Sequence, residues 1–75
     1  MSVVELDTSG LRCPLPVLKA RRALVRTPPG GLLRVRATDP GAVKDLEGMC
    51  AQMGLTFEGW REDGEAFVID LRKPA

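Results

Sequence analysis

A two-layer α/β sandwich, with both helices on one face of the sheet, is the fold class this sequence predicts. Three observations predict it. Six segments follow one another in the order β-α-β-α-β-β. Each strand segment has one apolar and one largely polar face, whereas a sheet covered on both sides reads as apolar throughout. Finally, the chain has 75 residues, with six prolines and eight glycines gathered at segment boundaries, as in a single domain spanning 1–75. A chain of this size buries only about 60% of the surface its unfolded form exposes. Its hydrophobic content of 44% is enough for one thin core.

Val3-Val4-Glu5-Leu6-Asp7 alternates, with Val4 and Leu6 on one side, and reads as a strand ended by Thr8-Ser9-Gly10. A helix follows from about Pro14 to Arg26, with Val17, Ala20 and Leu24, flanked by Leu18 and Val25, as its apolar side. Thr27-Pro28-Pro29-Gly30-Gly31 stops it. Leu32–Ala37 is the second strand, with Leu33, Val35 and Ala37 facing away from Arg34 and Arg36. Asp39 as N-cap and Pro40 as first residue start the second helix, and Gly54 closes it. Val43, Leu46, Met49, Cys50 and Met53 form its buried stripe. Leu55–Arg61 is the third strand, Glu62-Asp63-Gly64 a hairpin turn, and Glu65–Arg72 the fourth strand with Phe67, Ile69 and Leu71 inward. Lys73-Pro74-Ala75 reads as a fraying tail.

The chemistry concentrates at Leu11-Arg12-Cys13-Pro14-Leu15-Pro16. Prolines are tolerated in a first helical turn, where N–H groups lack intrahelical partners. Cys13 is therefore placed at or beside the helix N-cap, with Pro14 at the first helical position and Gly10 as a permissive link upstream. The positive helix end and the neighbouring Arg12 both favour thiolate over thiol, which predicts a pKa below the free value of about 8.5. Pro14 and Pro16 bring no N–H donors, leaving Leu15 and Val17 to face the sulfur and keeping the shift modest. Two readings compete: a small buried apolar side chain at a turn, or an exposed nucleophilic, sulfur-accepting thiol. Cysteine is a poor N-cap, so capping does not explain it.

Asp7-Thr8-Ser9-Gly10-Leu11-Arg12-Cys13-Pro14-Leu15-Pro16 resembles the signature of the TusA/SirA-like sulfur carriers, a Cys-Pro-x-Pro motif after Gly-Leu-x. Length, element order and the Asp39-Pro40 helix start extend the likeness over nearly the whole chain. The resemblance implies a mixed four-stranded sheet with the last strand antiparallel to the rest. It also implies a persulfide relay on Cys13, with a cysteine desulfurase or rhodanese as donor. The acceptor would serve tRNA thiolation, cofactor sulfuration or sulfur oxidation.

Absences narrow the field. There is no histidine, hence no Cys-His couple, Ser-His-Asp triad or His-based metal site. Cys13 and Cys50 are far from Cys-x-x-Cys spacing, and Gly30-Gly31 is a turn pair rather than a nucleotide fingerprint, so no cofactor is expected. No apolar run approaches a membrane span and the N-terminal residues do not read as a signal peptide, so a cytoplasmic protein is expected. A net charge of +1 implies neither a nucleic-acid coat nor a membrane-surface protein.

Other residues carry paired readings. Cys50 is core packing or a secondary thiol. A Cys13–Cys50 disulfide is not expected: the two helices run roughly parallel, and Cys50 lies about 15 Å along its helix at 1.5 Å per residue. Asp7 either orders the Cys13 loop through a hydrogen bond or simply forms a turn. Arg12 steadies a sulfur anion or meets a partner, or is a solvated surface arginine. Trp60 is an exposed anchor on the face away from Phe57, unless a bulge at Gly59 turns it inward. The alternative function is a regulatory or RNA-binding module using Arg34, Arg36 and Arg72 on the open sheet face. Near-neutral charge and only three aromatic residues weigh against it.

Overall fold

The computed structural model describes residues 2–75. Its elements are β1 (Val3–Thr8), α1 (Leu15–Arg26), β2 (Leu32–Ala37), α2 (Ala42–Met53), β3 (Thr56–Asp63) and β4 (Ala66–Arg72). The sheet order is β1-β2-β4-β3. β1 runs parallel to β2, in register from Val3 opposite Leu32 to Thr8 opposite Ala37. β4 runs antiparallel to both β2 and β3. This is the mixed four-stranded sandwich that was expected.

Strand alternation decides the two faces. Leu33 pairs with Leu71 and Val35 with Ile69 across β2 and β4, and all four are fully buried. They pack with Ala20, Ala23 and Leu24 of α1 and Ala42, Leu46, Met49 and Cys50 of α2. On the open face Arg34 opposes Asp70 and binds it through two contacts, Nε to Oδ1 at 2.9 Å and Nη2 to Oδ2 at 3.1 Å. Arg36 pairs with Asp63 at 2.8 Å and Arg72 with Glu58 at 3.0 Å. Val68 lies among these charges as the floor of a cleft of about 230 Å³.

Several boundaries and faces differ from the sequence reading. The inner stripe of α1 is Pro16, Ala20, Ala23 and Leu24, while Leu18 is 50% and Val25 84% exposed. Each residue turns a helix by about 100°, so Val25, one step past Leu24, points away from the sheet. α2 starts at Ala42 with Gly41 as N-cap. Asp39 does not cap with its side chain; its carbonyl instead accepts the Ala42 N–H at 3.0 Å, closing a turn through Pro40-Gly41. Ala42 thereby enters the core and Met53, in the last turn, is left 44% exposed. Gly54 closes α2 in the left-handed conformation, as expected.

At β3 the register shifts between Phe57 and Gly59, and Gly59 adopts φ 126°. This bulge places Trp60 opposite Ile69, on the helix-covered face with Phe57, where its ring meets Phe67 edge-on at 5.7 Å. The hairpin turn is Gly64-Glu65, one residue later than expected. The C-terminal residues are tied down rather than frayed. The Lys73 ammonium donates to the Leu24 and Thr27 carbonyls at 2.9 Å each, satisfying the C-terminal end of α1, and the Gly30 N–H donates to the Lys73 and Pro74 carbonyls.

Ile69→Ala is expected to cost about 2–5 kcal/mol, because it opens a cavity between the central strands and both helices. Val25→Ala should change stability by about 0.5 kcal/mol or less. Urea unfolding of the two variants checks both values.

Candidate functional site

The Cys13 loop hangs between the ends of β1 and α1, and five hydrogen bonds shape its approach. The buried Thr8 hydroxyl donates to the Arg36 carbonyl at 2.8 Å. Asp7 Oδ1 accepts the Ser9 N–H at 2.9 Å and the Ser9 hydroxyl at 2.6 Å, an Asx turn. The Leu11 N–H returns to the Thr8 carbonyl at 3.1 Å. Gly10 bends the chain at φ 80°, a conformation that strains any other residue, and this aims its N–H at Thr38 Oγ1, 2.8 Å away. The last bond joins the β1–α1 loop to the β2–α2 loop.

A second turn carries the sulfur. The Leu15 N–H donates to the Arg12 carbonyl at 2.8 Å, with the cis Cys13–Pro14 peptide between them. The N-cap of α1 is Pro14, so Cys13 stands one residue before the cap and Leu15, not Pro14, is the first helical residue. Pro16 is buried on the inner side of α1 while Arg12, Cys13 and Pro14 are exposed. Arg12 enters no ion pair among the described residues. Cys13 lines neither the cleft on the open face nor a groove of about 420 Å³ along Leu15, Leu18, Lys19, Arg21 and Arg22. The sulfur is a surface group.

The expected lowering of the Cys13 pKa is overturned. The Asp45 carboxylate first, then partial desolvation and the charge of Asp39, raise the thiol above its ordinary value. The helix-end argument failed for two reasons. The Leu15 N–H is taken by the Arg12 carbonyl, and the parallel helices bring the head of α2 alongside. Asp39 Oδ2 and Asp45 Oδ2 converge over Gly41, 3.3 and 3.8 Å from where a Cβ on that glycine would stand. Asp45 was not singled out in the sequence. The signal was present: two helices in consecutive parallel units start at the same sheet edge, so an acid in the first turn of α2 must stand near Cys13.

Cys50 is buried in α2 and its carbonyl accepts the Gly54 and Leu55 N–H groups. Burial pushes its thiol up, with a further push from Glu47. Both cysteines are free. Arg34, Arg36 and Arg72 do share the open face, and each already holds a carboxylate. No helix among the described residues is long and apolar enough to cross a membrane.

A small sandwich with one exposed cysteine at a helix head is an architecture with known relatives. A SirA-like protein from Desulfitobacterium hafniense superposes with a TM-score of 0.82, covering 96% of this chain and 99% of that one at 23% identity, which establishes the fold. The family model described as Sulfurtransferase TusA matches residues 4–73. The sulfur carrier protein TusA of Allochromatium vinosum is 44% identical over 69 residues, 92% of this chain and 91% of that protein. A putative sulfur carrier protein of Neisseria meningitidis serogroup A is 43% identical over 74 residues, 97% of this chain and the whole of the other. The chain belongs to the TusA family of sulfur-carrier sulfurtransferases.

The two Ser9 bonds, with a smaller contribution from Arg36, hold the Asp7 carboxyl below its ordinary value. A carboxylate depressed in the folded state adds stability above its unfolded pKa of about 3.9, and that stability is lost as pH falls through the folded value. Asp7→Asn should therefore unfold at lower urea than the parent at pH 7, and the gap should close in strong acid. Urea midpoints across pH test this, and amide exchange at Ser9 should quicken in the variant.

Proposed function

We propose that this chain carries sulfane sulfur as a persulfide on Cys13 and passes it to an acceptor protein in the cytoplasm. The observation that carries the reading is a free, exposed cysteine on a hydrogen-bonded turn at the head of α1, in a chain of the TusA family. The Cys13 thiolate attacks the outer sulfur of a donor persulfide. A sulfur–sulfur bond forms to Cys13, the donor's own sulfur–sulfur bond breaks, and the donor thiolate leaves. An acceptor thiolate then repeats the attack on the outer sulfur and regenerates Cys13. Each exchange is redox-neutral, so the carrier needs neither metal nor cofactor.

The remaining residues act on the mount. Gly10 and Asp7 shape the approach, Pro14 and Pro16 stiffen the turn, and Arg12 meets charge on an incoming partner. An exposed sulfur suits a relay in which the partner completes the site. A cysteine desulfurase or rhodanese fits as donor. The acceptor belongs to tRNA thiolation, cofactor sulfuration or sulfur oxidation. The ion-paired arginines of the open face lend no support to an RNA-binding role, which needs free cations and stacking aromatics.

Intact-mass measurement after incubation with a cysteine desulfurase and cysteine is the test. The parent should gain about 32 Da, one sulfur atom. Cys13→Ser should gain nothing, while Cys50→Ala should load like the parent. No gain in the parent, or a gain retained in Cys13→Ser, overturns the assignment.

A further inference from the structure

One corner of the helix-covered face is left open. Among the described residues of the four strands, that face carries a single charged side chain, Glu62. Glu62 is exposed and stands directly opposite Phe67. Trp60, its neighbour on the same side of β3, is 50% exposed and meets the Phe67 ring edge-on. Glu65, in the adjoining turn, is exposed as well. The cations of β3 and β4 lie on the other face: Arg61 lines the open cleft and Arg72 holds Glu58. An aromatic pair is thus rimmed by Glu62 and Glu65. The corner is at the same end of the sheet as Cys13. Phe67 is opposite Ala37, and Ala37 is opposite Thr8, from which the Cys13 loop departs. Phe67 therefore lies two strands, about 10 Å, across from Thr8. A partner surface of standard size, about 800 Å², spans both.

We infer that Trp60 and Phe67 are the anchor on which a basic surface of the sulfur-donor protein docks, a guanidinium or ammonium group lying over the indole and pairing with Glu62 and Glu65. The inference rests on the sulfur-carrier reading of Cys13. Charge complementarity selects the occupant. An aromatic face attracts a cation, Trp most strongly, and carboxylates beside it add to that attraction. Trp is also among the side chains enriched at interface anchors. The same carboxylates repel a nucleic acid or an anionic membrane. A second copy docking through this corner would set Glu62 and Glu65 against themselves. The exchange chemistry separates donor from acceptor. Loading consumes the Cys13 thiolate, which a basic partner surface favours. Unloading needs an uncharged outer sulfur on Cys13, which the same surface disfavours.

The test uses the full chain with a cysteine desulfurase as probe. Calorimetry gives the affinity of the Cys13→Ser chain, and steady-state loading with cysteine gives KM and kcat for the parent. Trp60→Ala should weaken binding and raise KM about tenfold, with kcat within about twofold. Trp60→Phe, which keeps an aromatic face, should bind within about threefold of the parent. Glu62→Gln should weaken binding about threefold, and high salt should weaken the parent more than Glu62→Gln. Glu5→Gln, which removes an acid of the open face, should bind like the parent. No binding by the Cys13→Ser chain, unchanged binding in folded Trp60→Ala, or a salt response untouched by Glu62→Gln overturns the inference. The last result is the one expected if Glu62 only protects an edge strand. Should Trp60→Ala fail to fold, Glu62→Gln and Glu62→Lys decide the point. A parent dimer dispersed by Trp60→Ala in sedimentation assigns the corner to a second copy and also overturns it. A parent that binds through Trp60 but never loads refutes the carrier reading and leaves the docking standing. Loading that is indifferent to Trp60 does the reverse.

Discussion

The parallel pairing of β1 with β2 is the constraint on which the site depends. Two parallel neighbours require a crossover, and a crossover above one face of a sheet is right-handed almost without exception. α1 therefore leaves the end of β1, and α2 leaves the same end of β2, since the two strands are in register over Val3–Thr8 and Leu32–Ala37. Both helix heads stand side by side at one edge. Cys13 and the carboxylates of Asp39 and Asp45 therefore stand at the same end of the sheet, although more than two dozen residues separate them in sequence. Hydrogen bonds from Thr8 to Arg36 and from Gly10 to Thr38 fasten the two loops at this point.

The same edge shows how local and non-local electrostatics compete. A helix head by itself favours an anion through unpaired N–H groups and an aligned dipole, an effect confined to the first turn. Prolines at the N-cap and second position remove donors from that turn, and the Arg12 carbonyl occupies the Leu15 N–H. The carboxylates at the head of α2 act the other way and raise the thiol above its ordinary value.

The rest of the molecule keeps this edge rigid with few residues. β2 and β4, the two central strands, supply Leu33, Val35, Ile69 and Leu71 to a core only one layer deep. The open face carries no second layer, and three of its arginines, Arg34, Arg36 and Arg72, are paired with Asp70, Asp63 and Glu58. Exposed pairs of this kind contribute about 0–1 kcal/mol each. Their larger effect is to keep the face polar. Lys73 closes the far end of α1, where the last carbonyls lack helical partners.

Alternation at a period of two, breaks at Pro and Gly, and the two helical stripes were readable along the chain, and with them the order of elements and the one-sided sheet. So was the thiol itself, because Cys13 between Gly10 and Pro14-Leu15-Pro16 is a local pattern. Three things were not local. The stripe of α1 excludes Leu18 and Val25 because packing on the sheet fixes which face of the helix is inside, and at about 100° per residue both fall off that face. Trp60 turns toward Phe67 because one unpaired residue at the Glu58-Gly59 bulge reverses the side on which every later side chain of β3 points. The upward push on the Cys13 thiol comes first from Asp45, a residue of the neighbouring helix. By itself the sequence determined the order and type of the segments and which thiol stands at a helix head. The tertiary structure decided what stands next to that thiol, because charge acts through space and the crossover brings together what the chain keeps apart.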